Sequence, residues 1–251
     1  MDILDYVLII GVGIVAGFLN VIAGGGSLIT LPVFIVFFGL PPVIANATNR
    51  VALFFQNISA VSGFHSKGVK VYPYSLYVGL AAIPGAIIGA IISTKLDDTL
   101  FNKIIAVVMI GVIILTFFSP NKANDEHTER MDTKHQIIGS VTFFLIGFYG
   151  GFIQAGVGFL IMASITNINR LSLLKTNAIK VFVVFLYTAA ALIVFVWKGL
   201  IYWEYGLSLA VGSSTGAWIA SRWSVKVPEK IIKRIVAVAV TGLAIKLWFY
   251  T

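Results

Sequence analysis

Residues Gly17–Arg50 read GFLNVIAGGGSLITLPVFIVFFGLPPVIANATNR, a stretch apolar enough for a bilayer but broken by Gly24-Gly25-Gly26 and again by Pro41-Pro42. A plain membrane-spanning helix needs neither break. Between and after the breaks stand Asn20, Ser27, Thr30, Asn46, Thr48 and Asn49, and Arg50 is the first basic residue of the chain. Interrupted backbone at membrane depth is tolerated only where it is buried in protein or lines a cavity. The stretch is therefore the leading candidate for a site inside the membrane.

The surrounding composition sets the class. Hydrophobic residues make up 59% of the chain and charged residues 11%, and the mean hydropathy is +0.97. No acidic residue, Lys or Arg occurs from Tyr6 to Asn49, from Val71 to Thr94 or from His135 to Asn169. Uncharged apolar runs of about 18 residues or more read as membrane helices. A soluble helical bundle would need a polar face on each surface helix, and these segments are apolar nearly all round. The expected fold is an all-α polytopic membrane protein, with the lipid bilayer as its solvent.

Asp2 and Asp5 stand where a cleavable signal would be basic, so the first helix is expected to be retained. The chain has no cysteine, which removes disulfides and thiolate metal sites. The net charge of +8 is no sign of nucleic-acid binding, because the Lys and Arg lie mostly in short loops, where they set orientation in the membrane.

Hydropathy and Gly/Pro breaks give ten segments: Tyr6–Ala23, Ser27–Phe38, Val43–Phe64, Tyr74–Thr94, Leu100–Phe118, Gln136–Ile153, Gly158–Ile168, Leu174–Trp197, Trp203–Ser221 and Glu229–Trp248. The second and seventh are too short for the roughly 20 residues of a perpendicular span, so they are short or re-entrant. A polar linker, Pro120–Lys134, divides two halves of five segments each, giving units 1–119, 120–134 and 135–251. The halves share landmarks at an offset of about 131 residues. Asn46-Ala47 meets Asn177-Ala178, Asn49 meets Lys180, Gly85 meets Gly216, and Lys67-Gly68 meets Lys198-Gly199. Matching landmarks in order indicate an internal duplication. With ten crossings and both termini outside, the basic loops, Arg222–Arg234 among them, fall in the cytoplasm, and the repeats are inverted. Eight crossings would make them parallel, with poorer charge segregation. The spacings Gly13/Gly17, Gly85/Gly89, Gly147/Gly151 and Gly212/Gly216 read as close helix packing.

Chemistry concentrates on two helices. Asn46, Asn49, Arg50 and Asn57 form one stripe of the third segment, answered in the eighth by Asn177, Lys180 and Thr188. Arg50 and Lys180 lie about two turns into their helices, where an uncompensated cation suggests function. Two readings stay open: an anion site using these cations, or cations that snorkel or bind carbonyl oxygens. After each glycine break a helix begins, at about Ser27 and about Phe159, and inward-facing helix N-termini suit anions. The carboxylates stand near segment ends, and no catalytic constellation or metal-ligand spacing occurs, so neither an enzyme nor a cofactor is expected.

NVIAGGGSLITLP followed by GLPPVIANATNRVA resembles the first repeat of the TauE/SafE family of sulfite exporters. GGFIQAGVGFL, KTNAIKV and VWKGLIYW resemble its second repeat, with Gly-Val-Gly in place of a full glycine triplet. The resemblance implies a bacterial-type inner-membrane transporter of sulfite or related sulfur oxyanions and organosulfonates. It carries over to Asn20, Gly24, Gly25, Gly26, Ser27, Asn46, Thr48, Asn49, Gly156, Gly158 and Lys180. With Arg50, Asn57, Gln154 and Asn177 these make up the expected substrate-binding set. The expected ligand is a small anion held between the two broken helices. An anion channel or facilitator is the alternative, and a membrane-embedded enzyme a more distant one. Oligomeric state is left open.

Overall fold

The computed structural model describes residues 1–118 and 129–223, and the described residues are helical, without a strand. Segment Glu229–Trp248, most of the Arg222–Arg234 loop and linker residues 120–128 lie outside the described residues.

Among the described residues, nine helices follow in order. They are α1 (Ile3–Ala23), α2 (Ser27–Pro32, continued by one π-helical stretch, Val33–Phe37), α3 (Pro42–His65), α4 (Tyr74–Ser93) and α5 (Asp98–Phe118), then α6 (Thr133–Phe152), α7 (Val157–Ile168), α8 (Leu173–Trp197) and α9 (Trp203–Trp223). Helices α1, α4, α6 and α8 are long and apolar enough to cross a membrane. The 24-residue α3 is also long enough, at about 1.5 Å per residue, but carries the polar stripe.

Local chemistry explains the short α2. Pro32 cannot donate to the helical ladder, and the helix widens into the π-helical residues that follow. It stops at Gly39, whose φ of +63° closes a left-handed cap in which the Leu40 N–H donates to the Phe34 carbonyl at 3.0 Å. Pro42 then opens α3 at a position where a missing N–H is harmless. At the start of α6, His135 hydrogen-bonds Asp132 and holds that carboxyl below its ordinary pKa.

Glycine decides how the helices meet. Helix α1 runs beside α9, and a Cβ on Gly17 would lie 2.1 Å from the Ser213 carbonyl oxygen, one on Gly216 2.0 Å from that of Ile14. Helix α4 runs beside α6 in the same manner: Cβ atoms on Gly147 and Gly151 would each lie 2.1 Å from the Ala82 and Ala86 carbonyl oxygens. All four small-residue spacings thus lie at helix contacts. Lipid supplies no hydrophobic drive between helices, so close backbone approach provides the dispersion that does. Each of these contacts joins a helix before the linker to one after it, and α3 likewise packs on α9 and α8. The two halves are interleaved rather than side by side.

The outer faces stay apolar. Ile3, Val7 and Val15 on α1, Ile137, Val141 and Leu145 on α6, and Ile193 on α8 are exposed. Water would penalise so much contiguous apolar surface, and a bilayer does not.

Gly151→Leu is expected to lower the thermal midpoint of the purified protein in detergent sharply, since overpacking against backbone costs about 1–3 kcal/mol or more. Gly11→Ala, where a Cβ meets nothing within 4 Å, is expected to leave the midpoint unchanged or slightly raised.

Candidate functional site

The two glycine breaks meet at the centre of the fold. Helix α1 ends at Gly24, whose φ of +81° is natural for glycine, and its N–H caps the Asn20 carbonyl. Gly25 and Gly26 lead into α2, and the Gly26 N–H donates to Asn20 Oδ1 at 3.3 Å. In the second half α6 ends at Phe152, and the chain turns through Gln154 (φ +67°) and Gly156 (φ +70°) into α7. A Cβ on Gly158 would lie 2.2 Å from Gly24 Cα, so the breaks touch backbone to backbone.

Helix α3 stitches the breaks together. Asn49 Oδ1 accepts from Thr30 Oγ1 at 2.8 Å, and Asn49 Nδ2 donates to Ser27 Oγ at 3.3 Å, tying α3 to the first turns of α2. Asn46 Nδ2 donates to the Phe152 carbonyl at 3.0 Å. Arg50, with no exposed surface, donates through Nη2 to the carbonyls of Gly150 at 2.9 Å and Gly151 at 2.7 Å. Its Nη1 reaches Gln154 Oε1 at 3.4 Å, and its guanidinium lies 5.0 Å from the Phe195 ring centroid.

Lys180 on α8 does the reciprocal work. Its Nζ donates to the Val21 carbonyl at 2.7 Å and to Asn177 Oδ1 at 2.8 Å, and contacts Met162 Sδ at 3.7 Å. The last carbonyls of a helix lack intrahelical donors and carry the negative end of its dipole. Each cation therefore sits at a helix end that attracts it, and each helix belongs to the opposite half. Among the described residues neither cation pairs with a carboxylate. Of the two sequence readings for these cations, binding to carbonyl oxygens is visible in the geometry, and it pairs Arg50 with Lys180 where the sequence offset had set Asn49 against Lys180.

The remaining candidates divide. Asn20, Gly24, Gly26, Ser27, Asn46, Asn49, Arg50, Gln154, Gly156 and Gly158 gather around the two breaks, with Gly25 buried among them and Asn177 engaged by Lys180. Thr48 faces elsewhere: its Oγ1 accepts the Tyr202 N–H at 3.0 Å, just ahead of α9. Asn57 donates to its own helix at the Leu53 carbonyl, leaving Oδ1 buried and unpartnered. Tyr187 was missed. It is fully buried, and its hydroxyl accepts from Gln154 Nε2 at 2.9 Å. No sequence pattern flagged it, because one Tyr among apolar residues looks like packing. Two cavities, of about 390 Å³ and about 190 Å³, lie on the outer face of α4 and α6 and beside Lys70, Glu129 and Lys175. Neither includes a residue of the candidate set.

Lys180→Met is expected to lower the thermal midpoint in detergent, because the Val21 carbonyl and Asn177 amide lose a charged donor worth about 2 kcal/mol. Asn49→Leu is expected to do likewise through Thr30 and Ser27, while Asn57→Leu, which frees only a carbonyl of its own helix, should cost less.

The family described as sulfite exporter TauE/SafE matches residues 9–247. A probable membrane transporter protein, ORF9, of Sinorhizobium sp is 29% identical over 234 residues, covering 93% of this chain and 88% of its own. One from Haemophilus influenzae is 25% identical over 244 residues, covering 95% and 94%. The Bacillus subtilis protein YunE, also named a probable membrane transporter, is 21% identical over 257 residues, covering 94% of each. No solved structure matches significantly. These relatives are named as transporters and not as enzymes, and this chain, matched along nearly its whole length, belongs to the TauE/SafE family of membrane transporters.

Proposed function

We propose that the chain is an exporter of a small oxyanion, sulfite or a related sulfur oxyanion or organosulfonate, bound between the two glycine-broken helices. The observation that carries the reading is a pair of fully buried cations, Arg50 and Lys180, that lack a carboxylate partner among the described residues and flank two helix breaks in contact. A membrane interior retains such charge at high cost unless it is used. The family name points to the sulfur chemistry. The binding set is Asn20, Gly24, Gly25, Gly26, Ser27, Asn46, Thr48, Asn49, Arg50, Asn57, Gln154, Gly156, Gly158, Asn177 and Lys180, with Thr48 and Asn57 at its margin on geometric grounds.

An inverted repeat of residues 1–119 and 135–251 is part of the same reading. Reciprocal capping of α6 by Arg50 and α1 by Lys180 supports it. So does the antiparallel course of α3 and α8, which places Phe195 over Arg50, Phe185 against Phe54, and Lys70 beside Lys175. With Lys70, Arg130 and Lys175 grouped at one end, the positive-inside bias puts that end in the cytoplasm of the inner membrane and both termini outside. The backbone contact between the breaks favours a carrier over an open anion channel.

In proteoliposomes, sulfite flux is expected with wild-type protein and to fall at least about tenfold in Arg50→Ala, the loss of one charge-assisted contact. Unchanged flux in both Arg50→Ala and Lys180→Ala defeats the charge assignment. A stability panel with sulfite, thiosulfate, sulfate, methanesulfonate and chloride should single out the true ligand, because saturation at 100 times Kd raises stability by about 2.7 kcal/mol.

A further inference from the structure

The two buried cations differ in what they have left to give. Lys180 has three N–H bonds and three contacts: the Val21 carbonyl, Asn177 Oδ1 and Met162 Sδ. Arg50 has five N–H bonds. Three are committed, one of them to Gln154 Oε1 at the longest distance of the set, 3.4 Å, and its Nε is buried with no partner. Next to it stands Tyr187, whose ring comes within 3.0 Å of where a Gly150 Cβ would be. Its hydroxyl accepts from Gln154 Nε2, and among the described residues its own proton has no acceptor. Surplus donors therefore collect on the Arg50 side of the breaks.

Gln154 links the two. Its oxygen must face Arg50, because guanidinium offers only donors, and its amide N–H then falls to Tyr187. It does this from a backbone φ of +67°, a conformation that a non-glycine residue adopts at a cost and that glycine would hold freely. Gly24 and Gly156 hold the left-handed positions of the two breaks with glycine, whereas Gln154 holds a further one with a side chain. Keeping a side chain here is worth the strain only if the side chain has work to do.

We propose that Gln154, with Tyr187, is the specificity-setting contact of the anion site, and that its amide oxygen holds on Arg50 the place an anion oxygen takes. This rests on the reading of the chain as an oxyanion transporter. An oxyanion arriving at Arg50 displaces the long Nη1–Gln154 bond. The freed amide turns its Nε2 towards the anion, and the Tyr187 O–H adds a neutral, directional donor. Directional donors around one guanidinium suit a small anion with several oxygens better than a spherical halide.

The test uses full-length purified protein in detergent, with thermal midpoints titrated against sodium sulfite and, separately, sodium chloride. Gln154→Glu keeps the size of the side chain but supplies Arg50 with a permanent carboxylate. It is expected to fold with a midpoint at or above wild type and to need about tenfold more sulfite, or greater, for half the stabilisation. Tyr187→Phe removes only the hydroxyl and is expected to weaken sulfite stabilisation by about threefold to tenfold. If both variants titrate with sulfite as wild type does, the inference is overturned while the transporter reading stands. Should Gln154→Glu fail to fold, Tyr187→Phe decides alone. Absence of any sulfite-specific stabilisation of the wild type, with methanesulfonate equally silent, overturns both readings together.

Discussion

A buried cation at the end of a helix is the constraint on which the rest of this structure depends. Helices α1 and α6 each stop short of a glycine-bearing turn, leaving carbonyls that point into protein rather than water. In a membrane such groups must find donors inside the fold. They find them in Lys180 and Arg50, each carried by a helix of the opposite half. The charge is costly to bury alone, and the carbonyls are costly to leave bare. Together they offset one another, and the exchange between halves locks the two into one body.

The glycine contacts follow from that arrangement. For Arg50 to reach Gly150 and Gly151, α6 must lie close to the centre, and its close fit to α4 is possible only because Gly85, Gly89, Gly147 and Gly151 carry no side chains. The same holds for α1 against α9. At the meeting point, Gly24 and Gly158 bring the two breaks into contact, so that neither break can shift without the other.

Much of this was legible before the structure. Long uncharged runs gave the class, and Gly24–Gly26 and Pro41-Pro42 marked interruptions that the helices respect. Small-residue spacings at four places fall at helix contacts. Polar side chains at Asn46, Asn49 and Arg50 stood out because lipid makes them expensive. What periodicity lacked was partner identity. Nothing in the one-dimensional pattern says that Thr48 turns to Tyr202, or that Asn49 bridges Ser27 and Thr30. Tyr187 was invisible because its hydroxyl matters only through Gln154, thirty-odd residues away in sequence and adjacent in space. The offset of about 131 aligned Asn49 with Lys180, yet function at a helix end is set by reach, and reach pairs Lys180 with Arg50.

That pairing is equal in position and unequal in chemistry. Ammonium is a compact charge with three donors, and one carbonyl, one amide and one sulfur suffice to surround it. Guanidinium is planar with five donors, and it spans two carbonyls and an amide while lying against Phe195. An exchange of Arg50 for Lys would therefore not be conservative, since a single ammonium cannot reach both carbonyls of α6 and Gln154 together. Each of the two cations sits at the C-terminal end of a helix, Arg50 at α6 and Lys180 at α1. Among the described residues, that difference in chemistry leaves the Arg50 side with a donor to spare, its buried Nε.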